Sequence, residues 1–537
     1  MEISQSFGVM PSKISLTQPP TIHARYPWLE RVFKIVLTCL GTLNSMVEKK
    51  ASDYYNVYAF DYSLFRNVGQ DMADFENYMS PGRRGHLIGI GGVSMSSLAE
   101  VLFDMGINIS GSDTIESQNV KNLENLGIQV AIGHSADNIT EDIEFVVRTA
   151  AVHDDNPEIA KAMEMGIPIF ERTQAWGTIS KDYNNALCIS GTHGKTTTTS
   201  MCTHILMAAD KDPTVMIGGT LPLLNAGHRI GRGNTIVMEA CEYYNSFLSF
   251  FPTIAVILNI EADHLDFFKD LDEVKRSFRI FASKVPDDGY VVANYDDANT
   301  MDALEGLGKK MITFGLTDKA NVYAKNIKFS GVTTTFDIYY KNNLFTDVTL
   351  HVPGIHNVKN ALAATAASIC LGIRPNAIKY GLAGFNGAGR RFEYKGKFKG
   401  ADVYDDYAHH PGELKALLDT LETLNYERTI IIFQPHTYSR TAALFDDFIT
   451  QLKRPDVVLL AEIYAAREKN TIGISSEDML EKLPNASFYP DFEGIEHTLW
   501  AIARPGDVIF TVGAGDIYKV GESLINPDLT KKYESFS

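Results

Sequence analysis

Cys188-Ile189-Ser190-Gly191-Thr192-His193-Gly194-Lys195-Thr196-Thr197-Thr198-Thr199 begins as an apolar run, turns between glycines and closes on a lysine followed by threonines. This order predicts a strand, a tight loop and the first turn of a helix. Backbone N–H groups turned inward by such a loop make an anion-sized concavity. The positive end of the helix dipole adds to it. Gly191, Thr192, His193, Gly194, Lys195, Thr196 and Thr197 therefore read as a phosphate loop for a nucleotide. Lys195 can reach the outer phosphates, and the Thr196 hydroxyl can ligate Mg²⁺. The usual phosphate loop places about four residues between its glycines, whereas this one has two, Thr192 and His193. A glycine-rich turn without a ligand is the alternative, but it leaves a lysine followed by hydroxyls unexplained.

The shortened loop Gly-Thr-His-Gly-Lys-Thr-Thr resembles the ATP loop of the Mur ligases, enzymes that add amino acids to the peptidoglycan precursor. Downstream, Thr235 to Glu242 and Ile254 to Asp266 are apolar strands that end in carboxylates. Parallel strands align their C-terminal ends on the edge where ligands bind. Thr196, Glu239 and His264 are expected to converge there, and oxygen and imidazole donors around a phosphate suit Mg²⁺. Glu239 and His264 match the magnesium ligands of the family. Cys241 and Tyr243 stand where many relatives carry Asp and Ser, and Glu242 is retained. Other Mur ligases carry a carbamylated lysine after the histidine; Lys275 is about a turn early and is not assigned that role.

Upstream, His86 to Ala99 reads as a buried strand, a glycine turn (Gly89, Gly91, Gly92) and a helix carrying Met95 and Ser96. A second strand ends at Ser112-Asp113, placing an acidic residue about twenty positions on, as in a Rossmann-type unit. The third glycine of the dinucleotide fingerprint is missing, and no hydride-acceptor site follows. The resemblance implies instead that Gly89, Gly91, Gly92, Met95, Ser96, Ser112, Asp113 and His134 hold a UDP-sugar.

Beyond the metal ligands, Asn294 to Asp297 resembles the adenine-side turn of the family. His356 can stack on adenine and Asn360 can bond its edge, with Asn357 available as a helix cap. Gly387 to Glu393 is a glycine-flexed junction whose Arg390 and Arg391 can swing onto the terminal phosphate when domains close. A third strand–helix alternation carries Asp405 to Pro411, Phe433 to Thr441, Ala461 to Arg467 and Gly513 to Ile517. The resemblance places the incoming amino acid here, with His410, His436 and Arg440 as its expected contacts. An arginine fork suits a carboxylate. Thr437 departs from an arginine common in the family.

The resemblance spans about Arg84 to the C-terminus and implies an α/β protein of three domains. These are a Rossmann-like UDP-binding domain (84–180), a central ATPase-like domain with a parallel sheet (181–386) and a C-terminal Rossmann-like domain (387–537). It implies a reaction in which ATP drives amide formation between UDP-N-acetylmuramate and L-alanine, with Lys195, His264, Arg390 and Arg391 as catalytic groups. The main rival is a recycling ligase that joins a tripeptide to the same sugar nucleotide. A folylpolyglutamate synthase-like ligase would lack the Gly89-to-Met95 turn, and a regulator without catalysis would not need Lys195, Glu239, His264 and Arg440.

Length and composition agree with that class. A chain of 537 residues holds roughly three or four domains. A formal net charge of -17 argues against nucleic acid, which needs a basic surface. The five cysteines have no paired spacing, as in a reduced cytoplasm without structural zinc. No stretch has the length of a membrane span; Val32 to Leu43 is interrupted by Lys34. A bacterial cytoplasmic enzyme without stable membrane insertion is expected, with room for a homodimer. Residues 1–83 resemble nothing in the family. They read as a lineage-specific extension, a docking segment or codons upstream of a later start at Met72 or Met79, with low order expected.

Overall fold

Three sheets, each built around strands too apolar to face water, organise the protein. The computed structural model describes residues 75–149, 152–265, 267–466 and 468–526. The run 32–43, Met72, Asp266 and Arg467 lie outside the described residues.

The first sheet has five parallel strands in the order Gln129–Ile132, Asn108–Asp113, Arg84–Ile88, Phe145–Arg148 and Ile169–Glu171. Its helices are capped by local chemistry. The Asn156 side chain accepts from the N–H groups of Glu158 and Ile159 at the start of Pro157–Met165, and Gly166, at φ 70°, ends that helix, a left-handed position that suits glycine.

The first domain starts earlier than the sequence suggests. Phe75 is fully buried against Phe145 and Phe170, Tyr78 packs on the same two rings, and Glu76 pairs with Lys181. The extension drawn at 1–83 therefore gives its last residues, from Phe75 onward, to the first core. An aromatic pair without periodicity carried no sequence signal for this.

The central sheet has ten strands in the order Asn343–Leu350, Thr333–Tyr340, Val322–Ser330, Met311–Gly315, Tyr290–Asn294, Ile254–Ile257, Asn185–Ser190, Thr235–Glu239, Thr214–Leu221 and Ala226–Arg229. The interior pairs are parallel. The edges are antiparallel: a three-strand meander over 322–350 and a ribbon over 214–229. The sheet expected as parallel is thus mixed, and both additions are short-looped hairpins, which only antiparallel pairs allow.

The third sheet runs Glu393–Phe398, Ala401–Asp406, Asp507–Val512, Arg428–Phe433, Val457–Ala461 and Ala486–Tyr489, parallel except at its first strand. The domains touch at definite points. The helix after the first glycine turn, Val93–Asp104, packs on the central ribbon, where His228 bonds Glu100 at 2.7 Å. Arg440 of the third domain donates to Asp263 of the second at 3.0 and 3.2 Å.

Candidate active site

The loop Gly191–Gly194 connects the buried strand Asn185–Ser190 to the helix Lys195–Ala208. Both glycines have positive φ, 142° and 86°. A Cβ on Gly191 would stand 2.8 Å from Leu258, and one on Gly194 2.6 Å from Asn360 Oδ1, so close packing as well as conformation requires them. The loop is pinned to the next strand end. Thr192 N–H donates to Asn259 O, His193 N–H to Asn259 Oδ1, and Glu261 N–H to Thr192 Oγ1.

Lys195 curls over its own loop. Its ammonium donates to the carbonyls of Gly191 and Thr192 at 2.6 and 3.0 Å and to Glu242 at 3.0 Å. Burial disfavours the charge, but Glu242 offsets this and the pKa stands above the ordinary lysine value. Glu242 is 2% exposed. It is the counter-ion that holds the lysine.

Thr196 Oγ1 lies 3.0 Å from both oxygens of Glu239, which also accepts from Gly218 N–H. His264 Nε2 lies 3.9 Å from Glu242 and 3.8 Å from Asp263, and the ring stacks on Tyr243. Burial lowers its pKa despite Asp263 and Glu242, which favours a neutral imidazole able to donate a lone pair. Of the expected metal set, Thr196 and Glu239 are in contact, whereas His264 lies against Glu242, the partner of Lys195, and not against either of them. A hydroxyl, a carboxylate and a neutral imidazole fit Mg²⁺ completed by phosphate oxygens and water.

A cavity of about 280 Å³ opens beside the loop. Its walls include His193, Gly194, Thr196, Thr197, Asn294, Asp296, His356, Asn360, Arg391, Asp406 and Glu413. Partly desolvated and beside Arg391, His356 has its pKa lowered to about 4, so it presents a neutral ring. Asn294 is spent on backbone: its amide donates to Leu258 O and its oxygen accepts from Asp296 N–H. It shapes the turn while still lining the cavity. Asn360 stays in the cavity wall, with its side chain against Gly194 of the loop. The helix cap is Gly354; Asn357 lies inside the helix and donates to Pro353 O.

The two arginines of the junction separate. Arg390 is anchored inside the third domain, donating to Asp405 at 2.9 Å, Gly515 O at 3.0 Å and Gly513 O at 2.7 Å and lying over Tyr407 and Tyr518. Held through Nε and both terminal nitrogens, the Arg390 guanidinium anchors the third domain and, contrary to the expectation from sequence, does not face the cavity as Arg391 does. Arg391 lines the cavity and lies 3.5 Å from Glu413. Arg390 and Phe392 have φ of 58° and 50°, a strained backbone that turns the two side chains to different destinations. Asp406 is half-buried, and desolvation, only partly countered by Arg391, raises its pKa to about 6.

A second cavity, about 410 Å³, lies between the second and third domains and is walled by Tyr243, Asp263, His264, His409, His436, Arg440 and Glu468 among others. His436 stacks on Tyr464 and accepts from Arg440 at 3.3 Å. Burial raises the pKa of Asp263, but Arg440 pulls it well below the usual carboxylate range. His410 does not reach this cavity. It caps the helix Pro411–Leu421 by accepting from Gly412 N–H and faces His193, ring centroids 4.9 Å apart. Its neighbour His409 takes the expected place, as adjacent side chains on extended chain point apart.

In the first domain, Gly89, Gly91 and Gly92 form the turn, and Asp113 braces it by accepting from Gly91 N–H at 2.8 Å. Met95 and Ser96 are 1% and 4% exposed, and Ser96 bonds back to Val93 O. Ser112 is fully buried and donates to Glu158 at 2.6 Å beside His134. These three are therefore supports of the turn and not ligand contacts. Sequence spacing placed them near the turn but could not show which way they face. Glu158, which sequence reasoning left unassigned, is the centre of this network: its pKa, pushed up by burial, is drawn down to about 2 by His86, Ser112 and Asn138.

Comparison with known proteins agrees along the chain. Residues 84–184 match the description "Mur ligase family, catalytic domain", 189–368 "Mur ligase middle domain" and 390–515 "Mur ligase, glutamate ligase domain". The chain is 47% identical over 445 residues to UDP-N-acetylmuramate--L-alanine ligase of Agathobacter rectalis, covering 82% of this chain and 97% of that protein. It is 48% identical over 446 residues to the enzyme of the same name from Acetivibrio thermocellus, covering 82% and 95%. Among crystal structures, UDP-N-acetylmuramate-alanine ligase from Thermotoga maritima aligns at a TM-score of 0.70 with 29% identity, over 84% of this chain and 100% of that one. A murein peptide ligase from Psychrobacter arcticus shares the fold at 0.64 and 23% identity, over 83% and 98%.

Proposed function

The chain belongs to the Mur ligase family, and on that premise we propose that it joins L-alanine to the carboxylate of UDP-N-acetylmuramate at the expense of ATP. The observation that carries this reading is the identity of 47% and 48%, over 82% of this chain, with ligases of that name. The recycling ligase is the weaker reading, since the relatives at 47% and 48% identity carry the alanine-ligase name, whereas the murein peptide ligase structures stand at 23% and 27%.

The geometry supports a division of labour. Gly89, Gly91 and Gly92 would receive the UDP diphosphate, with Asp113 stiffening the turn and His134 at its edge. The packing of Val93–Asp104 on the central ribbon carries that substrate toward Glu239. The first cavity would take ATP, with His356 against the base and the loop N–H groups on the phosphates. Lys195 would leave its loop carbonyls for the outer phosphates, and Arg391 would add a second positive charge. Mg²⁺ held by Thr196, Glu239 and His264 would neutralise phosphate charge there.

Two anions must meet for the sugar carboxylate to attack the γ-phosphorus, so offsetting their repulsion is the main task of these cations. A carboxylate oxygen bonds to phosphorus, the bond to the bridging oxygen breaks, and ADP leaves. The alanine amine, held in the second cavity with Arg440 toward its carboxylate, then attacks the acyl carbon and loses a proton. The tetrahedral centre collapses by breaking the carbon–oxygen bond to phosphate. The proposed setting is the bacterial cytoplasm. Phosphate release is the test, measured with UDP-N-acetylmuramate, ATP and either L-alanine or a tripeptide. Turnover with L-alanine alone is expected; a preference for the tripeptide would replace this reading with the recycling one.

A further inference from the structure

Where the phosphate loop meets the third domain, three donors from separate segments face one small gap. We propose that His193, Glu261 and His410 form a binding site for a transition-series divalent cation of the zinc or cobalt class, distinct from the magnesium site at Thr196 and Glu239. One donor atom from each of the three lies within 4.8 Å of the others. His193 Nε2 and Glu261 Oε2 are 3.4 Å apart, and two ligands bonded at about 2.1 Å to one tetrahedral zinc lie about 3.4 Å apart. His410 is 6% exposed.

The orientation of His193 fits a ligand. Its Nδ1 faces Glu413 Oε1 at 3.4 Å, while its buried Nε2 has no hydrogen-bond partner. Glu413 holds a proton on Nδ1, as in carboxylate–histidine–zinc sites. Burial lowers the ring's pKa, but the two carboxylates together raise it to about 9, so a metal would bind Nε2 by displacing its proton. The gap itself is bounded by Gly412. A Cβ on that residue would stand 3.0 Å from Glu261 Oε2, 3.4 Å from His193 Nε2 and 3.4 Å from His410 Nδ1. The space vacated by the missing side chain is therefore walled by all three donors. The Gly412 N–H bond to His410 Nδ1, 3.2 Å long, is the contact a metal would displace.

Two imidazoles and one carboxylate favour zinc, cobalt or nickel over magnesium, whose ligands are mainly oxygen. The ligands come from the phosphate loop, the segment after strand Ile254–Ile257 and the start of helix Pro411–Leu421. A bound ion would tie the second domain to the third, and it would compete with nucleotide for the loop.

The test titrates the full chain with Co²⁺ in excess Mg²⁺ and follows the ligand-field absorption. Wild type is expected to bind one Co²⁺, displaced by Zn²⁺. Glu261→Gln, His410→Gln and Gly412→Ala should each weaken binding tenfold or more, while Glu239→Gln leaves it unchanged. Melting curves without metal identify the variants that fold, and any one folded variant decides. Absence of a cobalt spectrum in wild type would overturn the site. So would a spectrum retained in the folded ligand variants, or one lost in Glu239→Gln alone.

Discussion

Lys195 shows how a functional side chain is stored. Its charge is matched by Glu242 at 3.0 Å in a buried setting, so truncation removes more than a phosphate contact. Lys195→Ala is expected to abolish phosphate release and also to destabilise the fold, because removing one partner of a buried pair costs about 3 kcal/mol or more. Adding Glu242→Gln should restore most of the melting temperature and none of the turnover. A single variant that melts like wild type would refute the counter-ion role. Glu158 gives a pH signature. Its carboxyl, at about 2 in the fold against an ordinary 4.5, contributes stability that is fully present above the unfolded value. That contribution is lost as pH falls from about 4.5 through 2, and it amounts to on the order of 3 kcal/mol. Glu158→Gln should flatten the stability-against-pH curve in this window, measured by denaturant unfolding. At this scale the sequence was informative about residue type and silent about direction. Arg390 and Arg391 are neighbours of one chemistry, yet one anchors on Asp405 and the other lines the cavity. His409 and His410 separate in the same way. A strained backbone and an extended one decide these cases, and neither is written in spacing.

Elements were more legible than residues wherever strands are buried on both faces. The runs at 185–190, 235–239 and 254–257 are continuous apolar segments ending in polar chemistry, and they became the adjacent parallel strands that carry the loop, Glu239 and the 258–264 segment. The meander over 322–350 was not legible, because its strands are half-exposed and lie away from every motif. Nor was the short 3-10 turn Glu76–Tyr78, whose hold on the first domain is aromatic. Phe75 fills a slot between Phe145 and Phe170, and deleting such a ring costs about 3–5 kcal/mol. A chain starting at Met79 should therefore melt well below one starting at residue 74, whereas both should retain the ligase site. Equal melting temperatures would show that Phe75 contributes nothing to the core.

Across the whole molecule, the three domains meet at a few charged points. Arg440 is the clearest, since it links the third domain to Asp263 and walls the second cavity. An incoming amino-acid carboxylate would compete with Asp263 for the same guanidinium. Arg440→Ala should raise the KM for L-alanine far more than that for ATP; equal rises would assign Arg440 to domain contact alone. The order of the domains and the site's edge-of-sheet location followed from the motifs and their sequence. The contacts that close the domains did not, because they join residues as far apart as Asp263 and Arg440. The central claim is that these cations converge on the terminal phosphate so that the sugar carboxylate can attack it. Labelling that carboxylate with heavy oxygen and analysing products by mass spectrometry tests this directly. The account predicts label in inorganic phosphate, formed in step with the alanine amide and with ADP. Unlabelled phosphate, or AMP and pyrophosphate in place of ADP, would contradict it.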